Sequence, residues 1–427
     1  MQDGLVSAGW WWRRPTWPPF GLAALYILAV LCPLALAAFS SIAPTDIMTE
    51  LAAACGLVAG AMLLMQFLSS GRLKTVSSRL GLDVAIGFHR AAATTILLLV
   101  AAHVVALGLA GDEWRPGLVI ARVGRLVAAQ SARSGVLATA TLVLLFVLAS
   151  GNRSRVMRYE VWRIGHGLGA LAVVALSADH AWRLGAYVRE PAVALAFVVL
   201  AAAAVTLVVI IYAVRPLSTR ITGFSVQRVR RLSRDIVELV LKSRYPGSFR
   251  FRAGQFVWAT IGQRHPVTDH PFSIASSPEE LPLVRFLIRE VGDTTRSLTA
   301  LQPGLPVGVD GPHGNFTVED HTARSIVLVA GGIGIAPVLG ILRSLQRKGD
   351  RRPIRLLVAG RSARDLVEQE EIAAMTRCLD LQIMVLVENA QRPTGWSWDA
   401  RPRPMWRASL RASTAPGWRA SSAARLP

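Results

Sequence analysis

The chain has almost no cysteine: Cys32, Cys55 and Cys378 are the only three in 427 residues. Set far apart, they cannot supply a four-thiolate iron–sulfur cluster or a cysteine zinc site, and they outline no disulfide framework. Charge is also sparse, at 17% of residues, and acidic charge is the scarcer kind, with 27 Asp and Glu against 47 Lys and Arg and a net charge of +20. The basic residues lie in loops and in the C-terminal stretch, not on a face interleaved with aromatics, so nucleic acid is set aside as a partner. Ile, Val and Phe are missing altogether from the last 37 residues.

What the chain has in quantity is apolar material, 52% of residues, and it is concentrated in the first half. Apolar runs at about 19–42, 50–69, 84–110, 134–150, 160–182 and 191–213 are each long enough to be candidates for crossing a bilayer. Residues 1–18, with Trp10, Trp11, Trp12 and Trp17 around Arg13 and Arg14, read as an interfacial segment before the first span rather than a cleaved signal. Arg72, Lys74 and Arg79 lie between spans two and three, Arg153, Arg155 and Arg158 between four and five, and Arg215 and Arg220 after six. The alternate loops hold Arg115, Arg122, Arg125 and Arg133, offset in part by Asp112 and Glu113, and then Arg183 and Arg189. The even count and this moderate bias place both termini of an integral membrane protein in the cytoplasm. Spans three and five then run in the same direction.

Those two spans carry the histidines. His89 and His103 lie 14 positions apart in the third, and His166 and His180 lie 14 apart in the fifth. At 100° per residue, that spacing puts two rings within roughly 40° of one helix face and about 21 Å apart along the axis. An imidazole in hydrocarbon is costly unless satisfied, so it is a ligand, a relay group or a partner in a buried hydrogen bond. If the two helices run together, His89 faces His166 and His103 faces His180, and each couple can hold one haem iron axially through neutral nitrogens. Two other readings stay open on the residues alone, namely ordinary helix-packing histidines and the proton relay of a transporter.

From Ile221 the pattern changes to short alternating runs, ITGFSVQRV, DIVELVLKS, GQFVWATI, PVTDHPFSIAS, LVRFLIREV and LPVGVDG, which predict a small antiparallel barrel. From Ser325, SIVLVAGG, PVLGILRSLQRKG, IRLLVAG, RDLVEQEEIAAMTRCL and LQIMVLVEN alternate strand and helix and predict a parallel α/β sheet. Within the barrel region, His270, Pro271, Phe272 and Ser273 form HPFS. A stiff proline–aromatic–hydroxyl strand of this kind can lay its backbone and the Ser273 oxygen along a flavin ring edge. The turn from Gly292 to Thr295 offers amides and a hydroxyl suited to a pyrophosphate. In the α/β region, Gly331, Gly332 and Gly334 lie between strand and helix, where backbone can approach an anion closely, and Pro337 is an early helical residue.

In this order the motifs resemble a ferric reductase or NADPH oxidase type membrane flavocytochrome of bacterial kind, over about residues 19–390. The resemblance implies a six-helix transmembrane haem-binding bundle at 19–215, an antiparallel β-barrel FAD domain at 216–320 and a parallel α/β nucleotide-binding domain at 321–390. His89 and His166 would ligate an inner haem b, and His103 and His180 an outer one. Phe272 and Ser273 would lie against the isoalloxazine, with Ser273 as the catalytic hydroxyl and Pro271 beside it, while His270 approaches the flavin or its phosphates. Gly292 and Thr295 would bind the FAD pyrophosphate. Gly331, Gly332, Gly334 and Pro337 would line the NAD(P)H site, and Arg361 would recognise a 2′-phosphate. Electrons would pass from cytosolic NAD(P)H through FAD and the two haems to an acceptor across the lipid bilayer: ferric iron, oxygen or a redox protein. The alternative is a membrane haem relay subunit whose soluble half is not catalytic.

One departure stands out. The family ends its nucleotide domain with a further strand and a Cys-Gly-Pro motif, and neither follows VLVEN here. Residues 391–427 instead hold seven Arg, five Pro and four Trp, with no strand alternation and no helical stripe. This composition reads as a disordered stretch of non-native pattern, as from a GC-rich gene read out of frame, or else as a short basic interaction tail. The first reading expects an incomplete nucleotide domain and weak NADPH-dependent reduction.

Overall fold

The computed structural model describes residues 19–69, 81–111, 115–150, 159–214, 223–261, 269–291, 293–319, 323–361 and 366–387. The interfacial segment 1–18, Gly292 and the stretch 391–427 lie outside them. Two compact units meet between Val209 and Ile210.

In the first unit the helices are α1 (Pro19–Ala38), α2 (Ile47–Met65), α3 (Leu82–Leu109), α4 (Pro116–Ala128), α5 (Arg133–Ser150), α6 (Tyr159–Leu184) and α7 (Pro191–Val209). All but α4 are long and apolar enough to cross a membrane. Their starts follow local chemistry: Asp46 caps α2 by accepting from the backbone N–H groups of Met48 and Thr49, while proline opens α4 and α7, where a missing N–H costs nothing. The α4 helix is unforeseen by hydropathy alone. It lies in the loop between the third and fourth spans, seats Val119 and Val123 against Gly108 of α3, and donates from Arg122 Nη1 to the Ala110 carbonyl at 2.6 Å.

The histidine helices do not pack chiefly on each other. α3 lies mainly on α2 and α6 mainly on α5, so their facing sides are free to meet through side chains. Ile96, fully buried and seven positions from each α3 histidine, forms a core with Val30, Ala59, Met62, Met65 and Ala92.

In the second unit, β1 (Phe224–Arg231), β2 (Ile236–Ser243), β3 (Phe256–Ile261), β4 (His270–Ser273), β5 (Leu283–Arg289) and β6 (Pro306–His313) form one sheet in the order β4-β3-β6-β1-β2-β5. Every pairing in it is antiparallel. The expected barrel is thus an open six-stranded antiparallel sheet among the described residues. Its two edge strands approach where a single bridge pairs Ile274 with Phe286, too short a contact to close the ring. Strand β2, between β1 and the edge strand β5, is buried at every position but Lys242. That includes the Glu238 carboxylate, which Arg228 and Arg230 hold at 3.2 Å each, as a buried charge requires.

The remainder is β7 (Ile326–Gly331), α8 (Ile335–Arg347), β8 (Ile354–Gly360), α9 (Gln369–Met375) and β9 (Leu381–Val387), with the three strands parallel in that order. The alternation agrees with the sequence expectation. The second helix is shorter than expected because Glu368, at φ 54°, sits in the left-handed region that no helix continues through. One core joins the sheet to the α/β layer: Ile236, Ala253, Ala275 and Leu287 pack with Leu339, Ile341 and Leu342 of α8. Leu339 is fully buried there. Leu339→Ala should therefore cost about 2–5 kcal/mol, measurable as an early unfolding transition of the detergent-solubilised chain. An unchanged transition would mean that the two layers do not share this core in solution.

Candidate functional site

The four intramembrane histidines meet as two couples. The rings of His89 and His166 lie 6.3 Å apart between centres, and those of His103 and His180 lie 6.2 Å apart. Two imidazoles sharing one metal ion, each bound at about 2 Å through nitrogen, need a centre-to-centre distance of about 6.3 Å once the ring radius implied by ordinary C–N bond lengths is added. Both couples meet that requirement.

The surroundings favour ligation. His103 Nδ1 is 2.8 Å from the Ala52 carbonyl, a contact that fixes the proton on Nδ1 and leaves Nε2 as a lone-pair donor. His89 Nδ1 lies 3.2 Å from Ser69 Oγ. Ser69 can donate to Gln66 Oε1 at 2.8 Å and so accept from the imidazole. His180 Nδ1 is buried without a hydrogen-bond partner among the described residues. The ring stands flush against α5 because position 135 is glycine: a Cβ there would come within 2.6 Å of His180 Nδ1. His166 stacks on Trp162 at 5.2 Å. Pairing of the histidines was legible in their spacing, whereas Ser69, Ala52 and Gly135 carry no signal in one sequence.

In the soluble unit, HPFS is strand β4, paired antiparallel with β3 so that Ser273 lies opposite Phe256 and His270 opposite Ala259. Phe272 is 8% exposed and its ring lies in the sheet's core, 6.4 Å from that of Phe286. Pro271 and Ser273, on the other face of the strand, are more open. His270 is half-buried, its ring 6.3 Å from that of Phe272. Thr295 Oγ1 accepts from the Val291 N–H at 2.9 Å; Gly292 lies outside the described residues.

Gly331 ends β7, Gly332–Gly334 form a helical turn and α8 begins at Ile335, with Pro337 in its first turn. Gly332 has φ +52°, and a Cβ there would come within 3.3–3.4 Å of the Arg289 guanidinium. The glycine turn therefore faces a cation from the end of β5, and the start of α8 adds its own N–H groups, together an arrangement suited to a phosphate. Arg361, exposed, follows β8 directly.

A buried cation that the sequence reading passed over is Arg343 of α8. It donates through Nη1 to the Ala275 carbonyl at 2.7 Å and through Nε and Nη2 to both oxygens of Glu371 at 2.7 and 2.6 Å. Burial opposes its charge, but the Glu371 hydrogen bond, with the charges of Glu371, Glu280 and Glu368, holds it above its ordinary value. Burial pushes the Glu371 carboxyl up, and Arg343 more than offsets this, leaving it below its ordinary 4.5.

Comparison with known proteins agrees with this division. A six-span membrane unit followed by a two-layer reductase unit defines a class of membrane oxidoreductase. Residues 55–177 match the ferric reductase like transmembrane component, 221–327 an FAD-binding domain and 328–400 the oxidoreductase NAD-binding domain. The chain thus joins a ferric reductase like transmembrane component to FAD- and NAD-binding domains. The last match runs ten residues past Ala390. The chain is similar to the reductase component of propane 2-monooxygenase from Mycolicibacterium goodii, 36% identical over 37% of this chain and 47% of that one. It is likewise similar to methane monooxygenase component C from Methylosinus trichosporium, 34% identical over 37% and 48%. The chain spans about half the length of these curated relatives. Among solved structures, a ferredoxin NADP+ reductase from Neisseria gonorrhoeae with bound FAD and NADP aligns at TM-score 0.38 and 18% identity, over 45% of this chain and 78% of that one.

The Arg343–Glu371 pair has a pH signature. A carboxyl whose pKa is lower folded than unfolded stabilises the fold above the unfolded value, and that contribution is lost as pH falls through the folded one. The stability gap between the native chain and Glu371→Gln should therefore narrow as pH drops below about 4.5. Thermal unfolding across pH 7 to 3 checks it, and a constant gap would contradict the assignment.

Proposed function

We propose that the chain is a membrane oxidoreductase that carries electrons from cytosolic NAD(P)H, by way of FAD and two b-type haems, to an acceptor across a bacterial inner membrane, with both termini cytoplasmic. The observation that carries this reading is the pair of imidazole couples, each at the separation one six-coordinate iron requires, joined in one chain to FAD- and NAD-binding domains. FAD accepts two electrons and releases them one at a time, and haem carries one, so the two kinds of group suit a donor that gives a hydride and a path that moves single electrons.

The chain's own residues do the holding and aiming. His89 with His166, and His103 with His180, would each hold one haem through two imidazoles, and a haem so held would supply one-electron transfer. The Ala52 carbonyl and Ser69 hydroxyl keep Nε2 of their histidines unprotonated. Ser273 would donate to the flavin ring, and Thr295 with Gly292 would hold the pyrophosphate. Gly331, Gly332 and Gly334, the Arg289 guanidinium and the first turn of α8 with Pro337 would receive the nicotinamide nucleotide's phosphates, and Arg361 a 2′-phosphate. The acceptor is ferric iron, oxygen or a redox protein.

Absorption spectra of purified membranes test the haem assignment: two low-spin b-type haems per chain are expected. His103→Ala and His180→Ala should each remove one and leave flavin reduction by NADPH intact. A haem content of zero, as a proton-relaying transporter would give, or one unmoved by either change, refutes it. At the flavin, Ser273→Ala is expected to retain FAD but slow its reduction, since a hydrogen bond to developing charge is worth about 1.5–3 kcal/mol. Stopped-flow rates equal to those of the native chain would remove Ser273 from that role.

A further inference from the structure

We propose that Arg343, together with Gly340 one turn before it, is a positioning device that locks the nucleotide-side helix α8 to the continuation of the HPFS strand and so sets the separation of the two redox sites. The positioning role rests on the reading of those sites given above; the lock itself rests on contacts alone.

Beyond Ser273 the chain enters a buried segment, Ile274 to Ser277, in which all four residues have 0% exposure. Its polar groups are tied into the sheet. Ile274 N–H donates to the Gln255 carbonyl at 2.9 Å and Ala275 N–H to that of Arg285 at 2.8 Å. Ser276 Oγ accepts from Arg285 N–H at 3.1 Å, and Ser277 N–H donates to Glu280 Oε1 at 3.0 Å. A segment so bonded cannot shift without breaking the sheet, and it starts one residue after Ser273.

Helix α8 rests directly on this base. A Cβ at Gly340 would lie 2.8 Å from the Ile274 carbonyl oxygen and 3.1 Å from that of Ser276, so only glycine lets the helix backbone approach this closely. Between those two carbonyls, the Ala275 oxygen accepts from Arg343 Nη1. Positions 340 and 343 share a helix face, so one turn of α8 supplies both the close seat and the bond that fixes its register. The guanidinium, 5% exposed, is aimed by Glu371 from a third segment, through two parallel bonds.

Packing alone gives no reason for a cation here. A leucine would fill the space without the desolvation penalty, and buried ion pairs contribute little net stability, their best-attested use being to specify register. Lysine, a point charge without a fork, cannot reach a carbonyl and both carboxylate oxygens at once. The lever arms are short: Gly340 is five residues from the start of α8, about 7.5 Å, and Ala275 is two residues past Ser273, roughly 7 Å. A slip at the lock reaches both sites nearly undiminished.

The test uses the full chain in detergent, loaded with FAD. Arg343→Met and Gly340→Ala are expected to keep flavin content and to let dithionite bleach the flavin normally. Their hydride-transfer rate from NADPH or NADH should fall by about 100-fold, as for a displacement of about 1 Å, with nucleotide affinity changed far less; Arg343→Lys should recover part of the rate. Spin labels report the lock without nucleotide, one on exposed Cys378 and one on Tyr245→Cys, 50% exposed in the native chain, with Cys32 and Cys55 replaced by serine. The distance distribution should broaden in Arg343→Met and Gly340→Ala. Native-like rates with an unchanged distribution in both variants would overturn the proposal. A native flavin that neither nucleotide bleaches would refute the site reading and the positioning role with it, while the distance measurement still decides whether the lock exists.

Discussion

An imidazole in hydrocarbon has to be answered by a partner, and that requirement governs the membrane unit. Four histidines on two helices meet it only if the helices run in the same direction, hold matching depths and keep their facing sides apart. The structure satisfies all three through neighbours rather than through direct packing: α3 leans on α2 and α6 on α5, and the couples meet across the remaining space at 6.3 and 6.2 Å. Had α3 and α6 packed ridge into groove, at 8–10 Å between axes, side chains of histidine size would have no room for a shared group between them.

Much of this was legible in the sequence because it depends on period. A repeat of 14 positions needs no tertiary context to place two rings on one helix face, and six apolar runs need only length. The strands of the reductase unit were legible for the same reason. What the sequence left open depends on partners remote in the chain. Gly135 reads as any glycine in an apolar run until His180 lies against it, and Ser69 reads as a loop serine until His89 is beside it. Closure of the barrel likewise turns on whether the two edge strands pair at length. Among the described residues the one ladder bridge between them is Ile274 with Phe286, and no alternation pattern encodes that.

In the reductase unit the polar and apolar parts divide their work. The shared core of Ile236, Ala275, Leu339 and Leu342 holds the layers together but is non-directional, and apolar surfaces tolerate small slides. The buried charges are directional. Glu238 of β2 is bound by Arg228 and Arg230, and Arg343 binds one carbonyl and one carboxylate with three separate nitrogens. Where two sites on different layers must keep a fixed separation, directional contacts restrict sliding that apolar burial leaves free.

The same contrast bears on the loops at the proposed phosphate positions. Arg289 lies against Gly332 from a different strand, and Thr295 Oγ1 accepts from the Val291 N–H, so both stretches proposed to receive phosphate are held by side chains. Strand pairing would occupy the N–H groups that a phosphate needs. Leaving them to a glycine turn and a helix start would keep donors available. Rigidity is therefore concentrated one layer back, at Ile274 to Ser277 and α8, where it can fix the sites without competing for their hydrogen bonds.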